Sequence, residues 1–76
     1  MKDLLNFLIK KVTGIDDFEI SETTEDNYTR FTIKTKPGTA GLIIGKGGKT
    51  IKTIRNLLKI RATLEKKGVN ISVEEA

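Results

Sequence analysis

The chain contains no cysteine, no histidine and no tryptophan. Without thiols there is no disulfide staple and no thiolate metal site. Without imidazole there is no Ser-His-Asp triad, no Cys-His dyad and no zinc site of the usual kind. Most hydrolase chemistry is therefore excluded by inventory, and no cofactor, metal or enzymatic activity is expected. Aromatic side chains are scarce as well. Phe7, Phe18 and Phe31 sit at core spacing and leave only Tyr28 to face water, too little for the stacking platforms of RRM-like or OB-like nucleic-acid binders. Long hydrophobic runs are missing, so no segment reads as a membrane span. Met1 to Val12 mixes its apolar residues with Asp3, Asn6, Lys10 and Lys11, and no small-residue cleavage site follows, so it reads as a helix and not as a signal peptide. A cytoplasmic protein is expected.

One further absence is regional. From Arg30 to Arg61 there is no carboxylate at all, against nine basic residues. Met1 to Thr29 has the opposite bias, with Asp3, Asp16, Asp17, Glu19, Glu22, Glu25 and Asp26 outnumbering Lys2, Lys10 and Lys11. Solubilising charge normally mixes signs, so a run of one sign over thirty-two residues points to a polyanionic partner. The overall charge of +4 conceals this division.

What is present fits one small domain over residues 1–76, near the size where a single core is barely sufficient and self-association helps. Leu4, Leu5, Leu8, Ile9 and Val12 recur at helical spacing, with Asp3 in the first turn and Gly14 as the stop. Phe18 to Thr24 and Tyr28 to Lys36 alternate apolar and polar residues around the turn Glu25-Asp26-Asn27, which predicts an antiparallel hairpin with acidic residues opposite basic ones. Pro37-Gly38 ends the second strand. Thr39 is the expected N-cap of a helix of little more than one turn, Ala40 to Ile44, in which Gly41 is unfavourable unless something approaches the backbone. A long helix is expected from Lys49 to Lys67, ending at Gly68, with Ile51, Ile54, Leu58 and Ala62 as its core stripe. A second stripe, Leu57, Ile60 and Leu64, is rotated away from the first. It has two readings: cover by the first helix, or a homodimer contact. Val69, Ile71 and Val73 alternate in a last strand. The expected class is α+β, a mixed three-stranded sheet with three helices packed on one face, the second and third strands parallel because helices connect them.

The stretch Ile43 to Ile51 places Gly45, Gly47 and Gly48 with Lys46 and Lys49 between apolar flanks, at the junction of the two last helices. Backbone N–H groups, lysines and a helix N-terminus can meet a phosphate there. Gly48-Lys49-Thr50 repeats the end of a Walker A loop, but the first glycine of that motif falls at Ile43, and a helix instead of a strand precedes it. Gly45-Lys46-Gly47 begins a dinucleotide fingerprint whose last position is Thr50, in a chain too short for that fold.

Ile43-Ile44-Gly45-Lys46-Gly47-Gly48-Lys49-Thr50-Ile51, followed by Ile54-Arg55, resembles the G-x-x-G signature of the KH domain. The element order is similar to the type II form, αββααβ, and the whole chain resembles the small bacterial single-KH RNA-binding proteins of the KhpA type. The resemblance implies a clamp on the backbone of about four nucleotides. Gly45, Lys46, Gly47 and Gly48 form it, Ile44 and Ile51 stand in the groove wall, and Lys49, Lys52 and Arg55 extend the positive surface. Lys59 and Arg61, farther along the helix, read as merely solvated. The implied partner is single-stranded RNA, with single-stranded DNA as a variant, for a protein acting as an RNA chaperone or post-transcriptional regulator. A homodimer through Leu57, Ile60 and Leu64, or a heterodimer with another KH protein, is compatible with this. The chain departs from the pattern before and within the short helix: Thr39 stands where an acidic or polar cap is expected and keeps the cap chemically, whereas Leu42 stands where a basic residue is expected and costs one phosphate contact; the third glycine, Gly47, predicts a mobile loop. The rival function is a protein-interaction or dimerisation module that uses the same fold without significant RNA binding.

Overall fold

In a computed structural model of the chain, residues 1–75 are described. Helix α1 (Lys2–Thr13) leads into strands β1 (Phe18–Glu25) and β2 (Tyr28–Thr35). Helix α2 (Pro37–Ile44), a single 3₁₀ turn (Lys46–Gly48), helix α3 (Lys49–Leu64) and strand β3 (Gly68–Glu75) follow. The sheet order is β1-β2-β3, with β1 and β2 antiparallel and β2 and β3 parallel. The sequence-based order and strand directions hold throughout.

The period-two pattern of β2 sorts its two faces. Phe31 and Ile33 are fully buried, and Arg30 and Lys34 face water. Ile71 lies beside Phe31 and Val73 beside Ile33, so one sheet face is apolar across β2 and β3. Leu5 and Ile9 of α1, Ile43 of α2, and Ile51, Ile54, Leu58 and Ala62 of α3 complete one continuous core with these residues. The buried hydroxyls are satisfied: Thr35 Oγ1 donates to the Asp17 carbonyl at 3.3 Å, and Thr29 Oγ1 lies 3.4 Å from Thr24 Oγ1.

On the outer sheet face, Lys34 is registered between Glu19 on β1 and Glu74 on β3. This is the one directly opposed acid–base pair of the hairpin; Glu22 sits opposite Phe31, and Arg30 opposite Thr23.

Several local expectations are corrected. Thr39 is not the cap of α2: Lys36 precedes the helix and Pro37 occupies its first turn, where the missing N–H costs nothing, so α2 begins three residues earlier than expected. Helix α3 stops at Leu64, not at Lys67. Lys66 takes a left-handed φ of 57°, its N–H donates to Thr63, and the Lys67 N–H donates to Ala62 at 2.8 Å, a Schellman closure without glycine. Gly68 opens β3 instead, because the Tyr28 ring covers it: a Cβ there would stand 2.7 Å from Tyr28 Cδ2.

Phe7 is exposed, with the Lys11 ammonium 5.8 Å from its ring centroid, and is not a core residue. Nor does α1 cover the second stripe of α3. Leu57, Ile60 and Leu64 remain 43, 62 and 77% exposed. Helix α1 meets the core through Leu5 and Ile9, and positions 57, 60 and 64 are rotated about a quarter turn or more from the stripe that this core receives. Among the described residues, no helix is long and apolar enough to cross a membrane.

Candidate nucleic-acid interface

The junction of α2 and α3 turns sharply because three glycines adopt backbone angles that side chains resist. Gly45 has φ 78° and ψ 169°, Gly47 φ 65° and ψ 18°, and Gly48 φ 76° and ψ 13°. The Gly45 N–H closes α2 by donating to the Gly41 carbonyl at 2.8 Å, and the Gly48 N–H returns to the Gly45 carbonyl at 3.1 Å. These glycines serve different ends. A Cβ on Gly45 would meet Thr50, its Cβ at 2.7 Å, its backbone nitrogen at 3.0 Å and its Oγ1 nearer still. Gly47 and Gly48 have open space where a Cβ would stand, so the backbone of the turn is bare on that side. The third glycine of the turn is thus matched to a left-handed conformation and is more than a source of looseness.

Helix α3 starts from this turn without a side-chain cap and without a carboxylate in its first turn. The positive end of its dipole is therefore not offset from within the helix. Around it, Lys46, Lys49 and Lys52 are exposed and Arg55 is half-buried. Among the described residues, none of the four has a carboxylate within 4.0 Å; the ion pairs join Lys36 to Asp17, and Arg61 and Lys67 to Glu65. Arg55 Nε is enclosed and has no hydrogen-bond partner.

The apolar residues divide. Ile44 is 37% exposed at the edge of the turn, whereas Ile51 is only 8% exposed and belongs to the core, supporting the start of α3 from beneath instead of lining a surface. Its three- and seven-residue spacings to Ile54 and Leu58 account for that. Leu42, at 65% exposure, is the apolar residue that sequence reasoning missed as a surface element. It lies beside Gly38 and Gly41 on the outer side of α2, and neither glycine has an atom within 4 Å of its absent Cβ. The result is a low, backbone-lined strip with one leucine on it. Lys59 is exposed, follows Arg55 by four residues and shares its flank of α3. Arg61 does not join them, since its Nε is bound to Glu65 Oε2 at 2.7 Å.

An αββααβ order, a mixed three-stranded sheet and a glycine turn between two helices together define a type II KH fold. A family model described as the KH domain of KhpA/KhpB matches residues 2–73. The chain belongs to this KhpA/KhpB family. It is 32% identical to the RNA-binding protein KhpA of Clostridium acetobutylicum over 74 residues, covering 96% of this chain and 99% of the relative. It is equally 32% identical to the RNA-binding protein KhpA of Chlamydia trachomatis and to that of Chlamydia muridarum, covering 99% of this chain and 97% of each relative. These names are those of binding proteins, not enzymes. No solved structure matches the chain at a significant level.

Proposed function

We propose that the chain is a single KH domain that binds a short stretch of single-stranded RNA by its backbone, acting in the cytoplasm as an RNA chaperone or post-transcriptional regulator. One observation carries the reading: a glycine turn with bare backbone opens directly onto an uncapped helix N-terminus, beside cations that pair with no carboxylate among the described residues. Phosphate is the ligand such a site fits. In this reading Gly45 to Gly48 hold the strand, and Lys46 and Lys49 neutralise its phosphates. Lys52 and Arg55 extend the positive surface, and the bases rest toward Ile44 and Leu42. Ile51 acts from below by holding α3 in place. The naming of the relatives as RNA-binding proteins supports RNA as the partner.

The test is a paired substitution, Lys46→Asp with Gly47→Asp. Aspartate tolerates the left-handed region better than most residues, and nothing stands within 4 Å of the Gly47 Cβ position, so the fold is expected to survive. Fluorescence polarisation with a labelled oligoribonucleotide is expected to show binding lost while circular dichroism is unchanged. Undiminished binding by the pair would refute the clamp. Single-stranded DNA of the same sequence, titrated in parallel, measures the preference for ribose.

The exposed Leu57, Ile60 and Leu64 favour a homodimer as the second element of this reading. Two linked clamps raise avidity for one strand without new contacts. Sedimentation is expected to find dimer at high micromolar concentration and monomer for Ile60→Glu. A wild-type chain that stays monomeric would leave the stripe to a different KH partner.

A further inference from the structure

The flank of α3 behind the glycine turn carries more positive charge than a four-nucleotide clamp uses. Lys52, Arg55 and Lys59 follow one another at three- and four-residue spacing and form a ridge about 10 Å long. Of the other cations of the carboxylate-free segment, Lys36 pairs with Asp17 at 3.1 Å, Arg61 pairs with Glu65 at 2.7 Å, and Lys34 is registered between Glu19 and Glu74. The ridge has no such neighbour among the described residues. Like charges at these spacings repel one another in the free helix, so the arrangement is unfavourable until an anion lies along it. Half-buried Arg55, its Nε enclosed and without a protein acceptor, fixes the middle of the row.

We infer that the nucleic-acid footprint does not end at the glycine turn: the same single strand continues along α3, with further phosphates on Lys52, Arg55 and Lys59. The inference rests on the clamp described above and lengthens it. It assigns Lys59 to the interface although that residue lies outside the KH signature. It also predicts that oligonucleotides longer than four residues bind more tightly for an electrostatic reason.

The experiment measures affinity of the full chain for oligouridylates of 4, 6, 8 and 10 nucleotides, by polarisation, over a range of salt. For the wild-type chain, affinity is expected to rise beyond four nucleotides. Lys59→Gln is expected to bind the tetranucleotide as the wild type does. It should lose roughly two- to fivefold on the longest oligonucleotide, with a log–log salt slope shallower by about 0.7. Lys59→Arg, which keeps the charge, is expected to restore both. Two results overturn the inference: no gain in wild-type affinity beyond four nucleotides, or an equal loss by Lys59→Gln at every length, which would make Lys59 a distant contributor to the field. Failure of the clamp itself reads differently, since the Lys46→Asp and Gly47→Asp pair would then bind every length as the wild type does.

Discussion

The two ends of α3 solve the same geometric problem with different residues. Each needs left-handed backbone where the chain leaves the helical path. At the C-terminal end Lys66 accepts that conformation, the Lys66 and Lys67 N–H groups close the carbonyls of Thr63 and Ala62, and Glu65 gathers Arg61 at 2.7 Å and Lys67 at 3.7 Å. That end satisfies itself. At the N-terminal end glycine takes every left-handed position, no side chain caps the helix, and cations collect without a carboxylate among them. The difference separates a terminus closed by its own side chains from one that no side chain caps, which is the end where the proposed clamp would take its anion. It also shows that left-handed geometry alone does not demand glycine. What glycine adds at Gly47 and Gly48 is an uncovered backbone, and at Gly45 the room for Thr50.

Breaking the N-terminal end at Gly45 should have the largest effect on stability. Alanine there combines a glycine-only backbone region with a methyl pressed onto Thr50, and the expected loss is on the order of 3 kcal/mol. In a chain whose whole stability is expected at about 4–11 kcal/mol, urea denaturation will register this plainly. Gly47→Ala sharpens the contrast. It suffers only the left-handed strain of about 1 kcal/mol, because open space lies beyond its Cα. Equal losses at the two positions would mean that the Thr50 contact is relieved by a small shift of the turn.

The parts of this contrast that could be read from residues alone were those governed by local periodicity. Ile51, Ile54, Leu58 and Ala62 declare the core face of α3 by spacing, and the alternation of Phe31 and Ile33 declares the sheet, so the order of elements and their class were legible. The glycine turn and the cations Lys46, Lys49, Lys52 and Arg55 were legible too, because glycine and charge are local signals. Other features depend on what packs from elsewhere. Gly68 looked like a helix stop, but the Tyr28 ring from the neighbouring strand explains it. Whether the first helix covers Leu57, Ile60 and Leu64 depended on the direction of α1, which leaves them exposed. The shared flank of Arg55 and Lys59 was available from their four-residue spacing.

The C-terminal end gives a prediction of opposite sign. Lys66→Gly keeps the Schellman bonds and removes the strain of a side chain at φ 57°, so it should stabilise the chain by about 1 kcal/mol. Gly41→Ala on α2 should add a similar amount, about 0.5–1 kcal/mol, since alanine is favoured in helices and nothing obstructs its methyl. The two variants then part company in the binding assay. Lys66→Gly lies far along the chain from the turn and should leave RNA affinity unchanged. Gly41→Ala, on the bare strip beside Leu42, should weaken it. A Gly41→Ala chain that is more stable and binds undiminished would remove that strip from the interface.

The smallest effect concerns the charges that close the C-terminal end. The hydrogen bond from Arg61, against an opposing push from desolvation and with help from the Arg61 and Lys67 charges, holds the Glu65 carboxyl below its ordinary value of 4.5. A carboxyl lowered in the folded state binds fewer protons there than in the unfolded chain, so stability must rise with pH across that interval. The contribution is complete above pH 4.5 and is lost as the pH falls through the lowered value. Glu65→Gln should therefore be slightly less stable than the wild type at neutral pH, with the gap closing in acid, as urea melts at pH 7 and pH 3 will measure. A gap that persists in acid would assign the contact to hydrogen bonding alone. No such titration is available to the other end of α3, whose first turn holds no carboxylate. If the proposed clamp is right, that end should instead respond to salt and to anions, as charges bound to a phosphate backbone do.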